Sequence, residues 1–471
     1  MPMKPRLLLP LAPLLAALLL AGCANLAPPY EVPATDTPVA FKEGGGAWVT
    51  AAPADTLERG PWWELFDDPV LNGLVAQVEV SNQNVAAAVA AYDQARAITR
   101  EQRAALFPQV SLDGGSNRTG GPERPTTRSY RVNIGASWEP DVFGRLRNAV
   151  AGARAGEQVA EADLAAARLA AQAELAANYF AVRQVDIATA LQTATVAGYQ
   201  RSLQIARNRY EAGVVARTDV LQAESQLANS QADLLGLERQ RGEFEHAVAV
   251  LVGKAPANFA LAAEPQWSVQ IPSIPPEVPS TLLQRRPDIA AAERLVEQAN
   301  SRIGIARAGY FPSFNLTGSI GSSAASIGDL FSASGLAWAV GSSLAQMIFD
   351  AGATSARVDQ ARAAHAQTAA RYRQTVLTAF QDVEDQLIAL RVLQQQQGLR
   401  QEASVAADLV EQQVLNRYQA GQIGYTEVIT AQQNAASARR ALVQSQVDRQ
   451  VAAVALIQSL GGGWLGLVAQ R

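Results

Sequence analysis

Between Leu71 and Leu106 the chain has no proline and only Gly73 near its start, so the stretch is helical in character. Phe107-Pro108 ends it, because proline disfavours helix for the residue before it. Val110 and Leu112 begin a short alternation, and a polar Gly/Pro loop follows over 114–125. Val132, Ile134, Ala136 and Trp138 then alternate with Arg131, Asn133, Gly135 and Ser137, which is a strand with one apolar face. The two alternations predict a hairpin over about 108–140. From Gly144 to Glu211 the chain runs 68 residues without proline. As a helix at about 1.5 Å per residue that is roughly 100 Å, against about a dozen residues for an ordinary helix. Gly213 supplies the left-handed position that ends such a helix. A return helix is expected over 218–252, with Thr218 as its N-cap.

The same order is written a second time. Phe314, Leu316, Gly318 and Ile320 alternate, a Ser/Gly loop follows, and Leu336, Trp338 and Val340 alternate again, giving a hairpin over about 312–347. Another 68 proline-free residues run from Gly352 to Gln419. They end at Gly421, with Thr426 as the cap of a return helix over 426–460. Asn208-Arg-Tyr-Glu-Ala-Gly213 recurs as Asn416-Arg-Tyr-Gln-Ala-Gly421. The 24-residue windows starting at Asn208 and Asn416 share nine identical positions at an offset of 208. Ala104-Ala-Leu-Phe-Pro108 recurs as Ala308-Gly-Tyr-Phe-Pro312 at an offset of 204. Two ordered matches mean a tandem duplication of a unit near 206 residues, too long for a solenoid repeat.

The expected organisation is therefore a first repeat over 70–252 and a second over 286–460. An irregular segment at 23–69, a Pro-rich middle segment at 253–285 and a tail at 461–471 complete the chain. The middle segment reads either as a belt packed around the long helices or as a flexible linker. The leading helix of the first repeat (36 residues) and the C-terminal return helix (35) together nearly match 68. That match predicts short helices stacked end to end beside each long one.

At the N-terminus Lys4 and Arg6 precede an apolar run, Leu7–Ala21, too short for a comfortable bilayer span and ordered like a secretory signal. It closes on Leu20-Ala21-Gly22-Cys23, which resembles a bacterial lipoprotein box. The expectation is a signal peptide over 1–22 and lipid attachment at Cys23, the chain's one cysteine. Ala24 after it points to the outer membrane. Composition narrows the class further. Net charge is −4 with no basic stripe, which argues against nucleic acid. A single cysteine excludes an intrachain disulfide framework and a multi-thiolate zinc site. At 48% hydrophobic but 6% aromatic, with much alanine, the chain suits long helices in close contact. No segment after the signal has 18 uninterrupted apolar residues.

Catalytic chemistry finds no setting. His246 and His365 stand apart in helical patterns. Gly44-Gly45-Gly46 and Gly461-Gly462-Gly463 lack the strand–loop–helix context of a phosphate loop. The acids of Asp382–Asp385 sit mid-helix. No cofactor, metal or enzymatic activity is expected. Four strands cannot close a barrel, and an open sheet in lipid leaves backbone groups unpaired at several kcal/mol each. Two copies would give eight strands and a side-chain-filled interior; three would give twelve, wide enough for water.

Specific residues carry a family resemblance. Pro61-Trp62-Trp63-Glu64-Leu65-Phe66-Asp67-Asp68-Pro69, followed by Leu71 and Leu74, looks like the opening of TolC-type outer-membrane factors. Arg285-Arg286-Pro287-Asp288-Ile289, Ile303-Gly304-Ile305-Ala306-Arg307 and Tyr310-Phe311-Pro312 are similar to the NodT branch, lipoprotein subunits of resistance-nodulation-division efflux pumps. The resemblance implies a mainly α fold with a small membrane β part: a homotrimer with a twelve-stranded barrel in outer-membrane lipid and a periplasmic helical tunnel. It implies a periplasmic adaptor (membrane fusion) protein and an inner-membrane pump as partners, and passive export of small molecules. A type I protein-secretion duct and a structural envelope-spanning lipoprotein are the alternatives.

In that family the helix turns at 209–219 and 417–427 are periplasmic tips. The resemblance makes Gly213, Thr218, Gly421 and Thr426 adaptor-docking turns, Asp219 and Glu427 acidic gate positions, and Tyr418 a closing contact. Ile423 and Thr430 depart from the pattern, standing where other members carry arginine and aspartate. Acids in a helix's first turn also favour its positive end by about 0.3–1 kcal/mol, which is the alternative reading of Asp219 and Glu427.

Overall fold

The computed structural model describes residues 26–38, 40–43, 61–268, 271–272, 286–332 and 335–462. The signal peptide, Cys23, Arg285 and most of the tail lie outside the described residues. The chain divides into two compact units. The first is 1–35, 90–161 and 291–375; the second is 36–89, 162–290 and 376–471.

The first unit holds a four-stranded antiparallel sheet in sequence order: β1 (Gln109–Gly121), β2 (Arg124–Trp138), β3 (Ser313–Ala324) and β4 (Leu336–Ala345). β1–β2 and β3–β4 are the two hairpins, and β2 pairs with β3 across the repeats. The register lines Leu112, Ile134, Ile320 and Trp338 into one row. Strand residues alternate faces, so Val110, Trp138, Leu316, Leu336, Val340 and Leu344 share that side, and all are exposed. Asn133, Thr317, Ser319 and Ala339 lie on the other. At the helical end of the sheet, the Trp138 indole N–H donates to the Leu106 carbonyl at 3.0 Å, and Phe143 stacks on Phe311 at 4.7 Å.

Residues 26–35 run irregularly along α5 (Pro287–Ala308). Asn300 Nδ2 donates to the Pro28 carbonyl at 2.8 Å, and Arg307 donates to that of Leu26 at 3.1 Å.

The long helices are α3 (Arg145–Glu211) and α6 (Ala353–Gln419), 67 residues each. Each starts on an aspartate. Asp141 accepts from the Leu146 and Arg147 amides at 3.0 and 2.7 Å, and Asp350 from those of Gly352 and Thr354 at 3.0 and 2.7 Å. No helix among the described residues is long and apolar enough to cross a membrane.

The second unit contains α1 (Pro69–Ser81) and the return helices α4 (Arg217–Leu251) and α7 (Tyr425–Ser459). The single helix expected over Leu71–Leu106 is two, because Asn82 breaks it and begins α2 (Gln83–Ala104). The Asn82 side chain accepts from the Asn84 and Val85 amides at 2.9 and 3.1 Å. Its Nδ2 donates to the Leu251 carbonyl at 2.8 Å, so α4 ends against the start of α2. In the second repeat Arg286 donates to the Ser459 carbonyl at 3.3 Å, closing α7 in the same manner. Short helices thus meet within a repeat. The stacking of the first leading helix on the C-terminal return helix, suggested by summed lengths, is not what forms.

Part of the middle segment is held against helices. Arg183 of α3, 2% exposed, donates to Tyr179 Oη, to Asp186 and to the Ala262 carbonyl. Asp186 also accepts from Arg241 of α4 at 2.7 Å and from the Glu264 amide at 3.0 Å. Asp68, the N-cap of α1, accepts from Tyr179 Oη at 2.6 Å and the Trp267 indole at 3.0 Å. Trp62, Phe66 and Phe180 fill the space beside it. Over 261–267 the chain is thus bonded to α3, α4 and the N-cap of α1.

Candidate functional site

At the turns between long and return helices, α3 and α6 end on Gly213 and Gly421, with φ of +71° and +75°. Glycine enters this region without the Cβ penalty other residues meet. The Val214 amide reaches back to the Arg209 carbonyl and that of Gln422 to the Arg417 carbonyl, at 2.9 and 3.0 Å, which satisfies carbonyls at the helix ends. The return helices then begin one residue earlier than the threonines suggested. Ala216 and Gly424 hold the capping positions, with no side-chain cap. Thr218 and Thr426 lie inside the first turn and are exposed, so they are not N-caps.

These two turns converge on one apolar cluster. Leu203 and Ala206 of α3, Ala223 of α4, Tyr418 of α6, and Tyr425 and Val428 of α7 are buried together, with Ile423 packed on them. The Tyr418 and Tyr425 rings are 5.4 Å apart. Arg209, from the first repeat, places its guanidinium 4.7 Å over the Tyr418 ring and donates to the Tyr418 carbonyl. Such a contact is worth about 0.5–2 kcal/mol, more as water is excluded. The Tyr418 hydroxyl is buried with no hydrogen-bond partner among the described residues. Burial raises its pKa, opposed by Arg209 and assisted by Asp219. Burial likewise pushes Tyr425 up to about 12, with Tyr418, Tyr199 and Asp219 adding to it and Ser202 opposing.

The structure thus buries Tyr418 in this cluster and puts half-buried Asp219 beside it electrostatically. Glu427 is exposed, and neither acid forms an ion pair among the described residues. Thr430 donates back to the Thr426 carbonyl, at 3.0 Å. Arg209 and Tyr425 were missed by the sequence reading. Arg209 lay inside the repeated hexapeptide. Tyr425 stands where the other repeat has Arg217, an asymmetry visible at the 208 offset. The repeats are also unequal at Tyr210, the counterpart of Tyr418, which is 44% exposed.

A sheet with one apolar, exposed face and two unpaired edges, joined to long helices unfit for lipid, defines a subunit of a membrane barrel with an aqueous helical extension. The chain belongs to the outer membrane efflux protein family, whose model matches residues 74–254 and 278–462. It is 32% identical over 460 residues to the probable efflux pump outer membrane protein TtgC of Pseudomonas putida, covering 95% of this chain and 94% of that protein. It is 29% identical over 459 residues to the cation efflux system protein CusC of Escherichia coli, covering 96% and 98% respectively. The solved outer-membrane channel OprN is 29% identical, with a TM-score of 0.84, covering 94% of this chain and all of that one. The fold is the two-repeat, mainly helical fold of these outer-membrane channels.

Proposed function

We propose that this chain is the outer-membrane channel of a tripartite efflux system, a passive duct for small molecules delivered by a periplasmic adaptor and an inner-membrane resistance-nodulation-division pump. The observation that carries the reading is the sheet. Its apolar face suits lipid, its opposite face is small and polar, and β1 and β4 each leave an edge open. Three copies would join those edges into twelve strands around water. The long helices, about 100 Å at 1.5 Å per residue, then form the periplasmic wall. Relatives are named efflux pump and cation efflux proteins, which supports export without naming this chain's cargo. The energy comes from the pump, since the duct has only to open.

Lipid attachment at Cys23, as in the NodT branch, is part of the proposal. Arg307 holds Leu26 near the last turn of α5, and β3 starts at Ser313. At the C-terminal ends of the long helices, the Tyr418 cluster with Arg209 closes the tip. Asp219 and Glu427 attract cations to its mouth, and the turns at Gly213, Thr218, Gly421 and Thr426 receive the adaptor.

Planar-bilayer recording of the purified protein tests the reading. It should show large, long-lived pores; absence of conductance from intact oligomers, together with unchanged drug susceptibility on deletion, would sink it. Arg209→Ala should raise single-channel conductance by unlatching Tyr418, and Asp219→Ala with Glu427→Ala should change block by multivalent cations.

A further inference from the structure

The lipid-facing side of the first hairpin has a second chemistry above its apolar rows. Moving up from Trp138, the side chains on that face are Val110 with Ala136, Leu112 with Ile134, Gly114 with Val132, and Ser116 with Tyr130. The next pair is Arg118 with Arg128, directly opposite and in phase, since the only irregularity in register falls between Thr119 and Gly121. Both arginines are exposed. Opposed cross-strand residues have Cβ atoms about 4.5–5.5 Å apart, and like charges placed so are destabilising.

No ion pair among the described residues relieves that repulsion. Arg145 and Arg147, at the helical end of the sheet, have ion pairs with Glu139 and Asp141, but neither Arg118 nor Arg128 has a carboxylate partner among the described residues. Between Gly114 and Tyr130 the one carboxylate is Glu123, in the turn beyond them, accompanied by a further cation at Arg124.

Depth identifies the counter-charge. Arg128 is ten residues from Trp138 along β2. At about 3.4 Å per residue and a tilt near 40°, that is roughly 26 Å of membrane normal, against an apolar band of about 25 Å in such barrels. The pair therefore sits at the outer rim of the hydrocarbon, one row above Tyr130, where headgroups begin. β3 ends at Ala324, opposite Tyr130, so no third strand covers the pair on that side.

We infer that Arg118 and Arg128 form a binding site for a phosphate group of the phosphorylated glycolipid in the outer leaflet. Two planar guanidinium forks converging on one phosphate exchange a repulsion for charge-assisted, bidentate hydrogen bonds. The site rests on the outer-membrane reading above, which orients the hairpin turn outward.

Native mass spectrometry of the purified oligomer, titrated with phosphorylated lipid A, tests it. The wild-type protein should retain the lipid, and Arg118→Gln with Arg128→Gln should bind about tenfold more weakly or worse, since each 1.4 kcal/mol is tenfold. Arg131→Gln, on the opposite face, should bind as wild type. Equal retention by the double variant, or equal binding of dephosphorylated lipid A, would overturn the site. Inorganic phosphate at the same affinity would also overturn it, by showing a free-anion site. Conductance of the double variant keeps the two readings separate. Pores that persist while lipid retention falls support the site. A wild-type protein that forms no pores but retains phosphorylated lipid A would overturn the duct and leave the arginine pair standing.

Discussion

Asp186 shows how much one carboxylate holds in the belt region. It is 3% exposed and accepts from Arg183, Arg241 and the Glu264 amide, tying α3, α4 and the middle segment together. Removing one partner of a buried ion pair strands the other charge and costs about 3–5 kcal/mol. Asp186→Ala should therefore lower the oligomer's melting temperature by several degrees, and Asp186→Asn, which keeps an acceptor, by less. An alanine variant that melts like wild type would show that the network does not carry stability. Tyr425 gives a prediction in pH. Burial raises its pKa from the ordinary 10.0 to about 12. The folded tip therefore keeps a proton that the unfolded chain releases between those values. The stability of the neutral, packed ring is complete below pH 10 and is lost as pH rises through 12. The phenolate absorbance removed by Tyr425→Phe should titrate near 12; a component titrating near 10 would mean the ring is open to water.

Among elements, adjacent positions of β2 should respond in opposite ways. Ile134 lies in the central row of the apolar face, and Asn133 points the other way. Arginine on the lipid face at mid-membrane costs about 2–4 kcal/mol, so Ile134→Arg should lower the denaturant midpoint of the barrel by a corresponding amount. Asn133→Arg should leave the midpoint unchanged while altering ion selectivity; equal loss from both would contradict the assignment of faces. These faces were legible in the sequence because period-two alternation is a local property. The long helices were legible from 68 residues without proline, and their ends from glycines now seen at positive φ. What stayed hidden depends on partners distant in the chain. Asn82 breaks a helix because Leu251 accepts its amide, a contact no local propensity announces. The threonine caps failed because Ala216 and Gly424, with no capping side chain, take the cap positions two residues earlier. At the turns, the contact between Arg209 and Tyr418 was not legible, since the two come from different repeats, 209 residues apart.

For the whole molecule, the duplication predicts the register in which copies should join. The first strand of each repeat is related by an offset of 204, and the second strand together with the long helix by 208. The two hairpin registers agree with those offsets: Leu112 pairs with Ile134, and their counterparts Leu316 and Ser342 pair likewise. Within one chain β2 and β3 join the repeats, with Ser137 opposite Thr317. If a ring of copies repeats that junction, β4 meets β1 of the next copy with Ala345 opposite Asp113, both on the polar face. Paired Cα atoms in antiparallel strands are about 4.5–5.5 Å apart, inside disulfide range. Ala345→Cys combined with Asp113→Cys should therefore give covalent dimers and closed trimers under mild oxidation in membranes. The same Ala345→Cys combined with Asn117→Cys is displaced by four residues, about 13 Å along the strand, and should give none. Cross-linking only in the displaced pair would mean that the junction between copies differs from the one within the chain. Closed trimers from the first pair would show that one strand register, duplicated in the gene and repeated around the ring, closes all twelve strands.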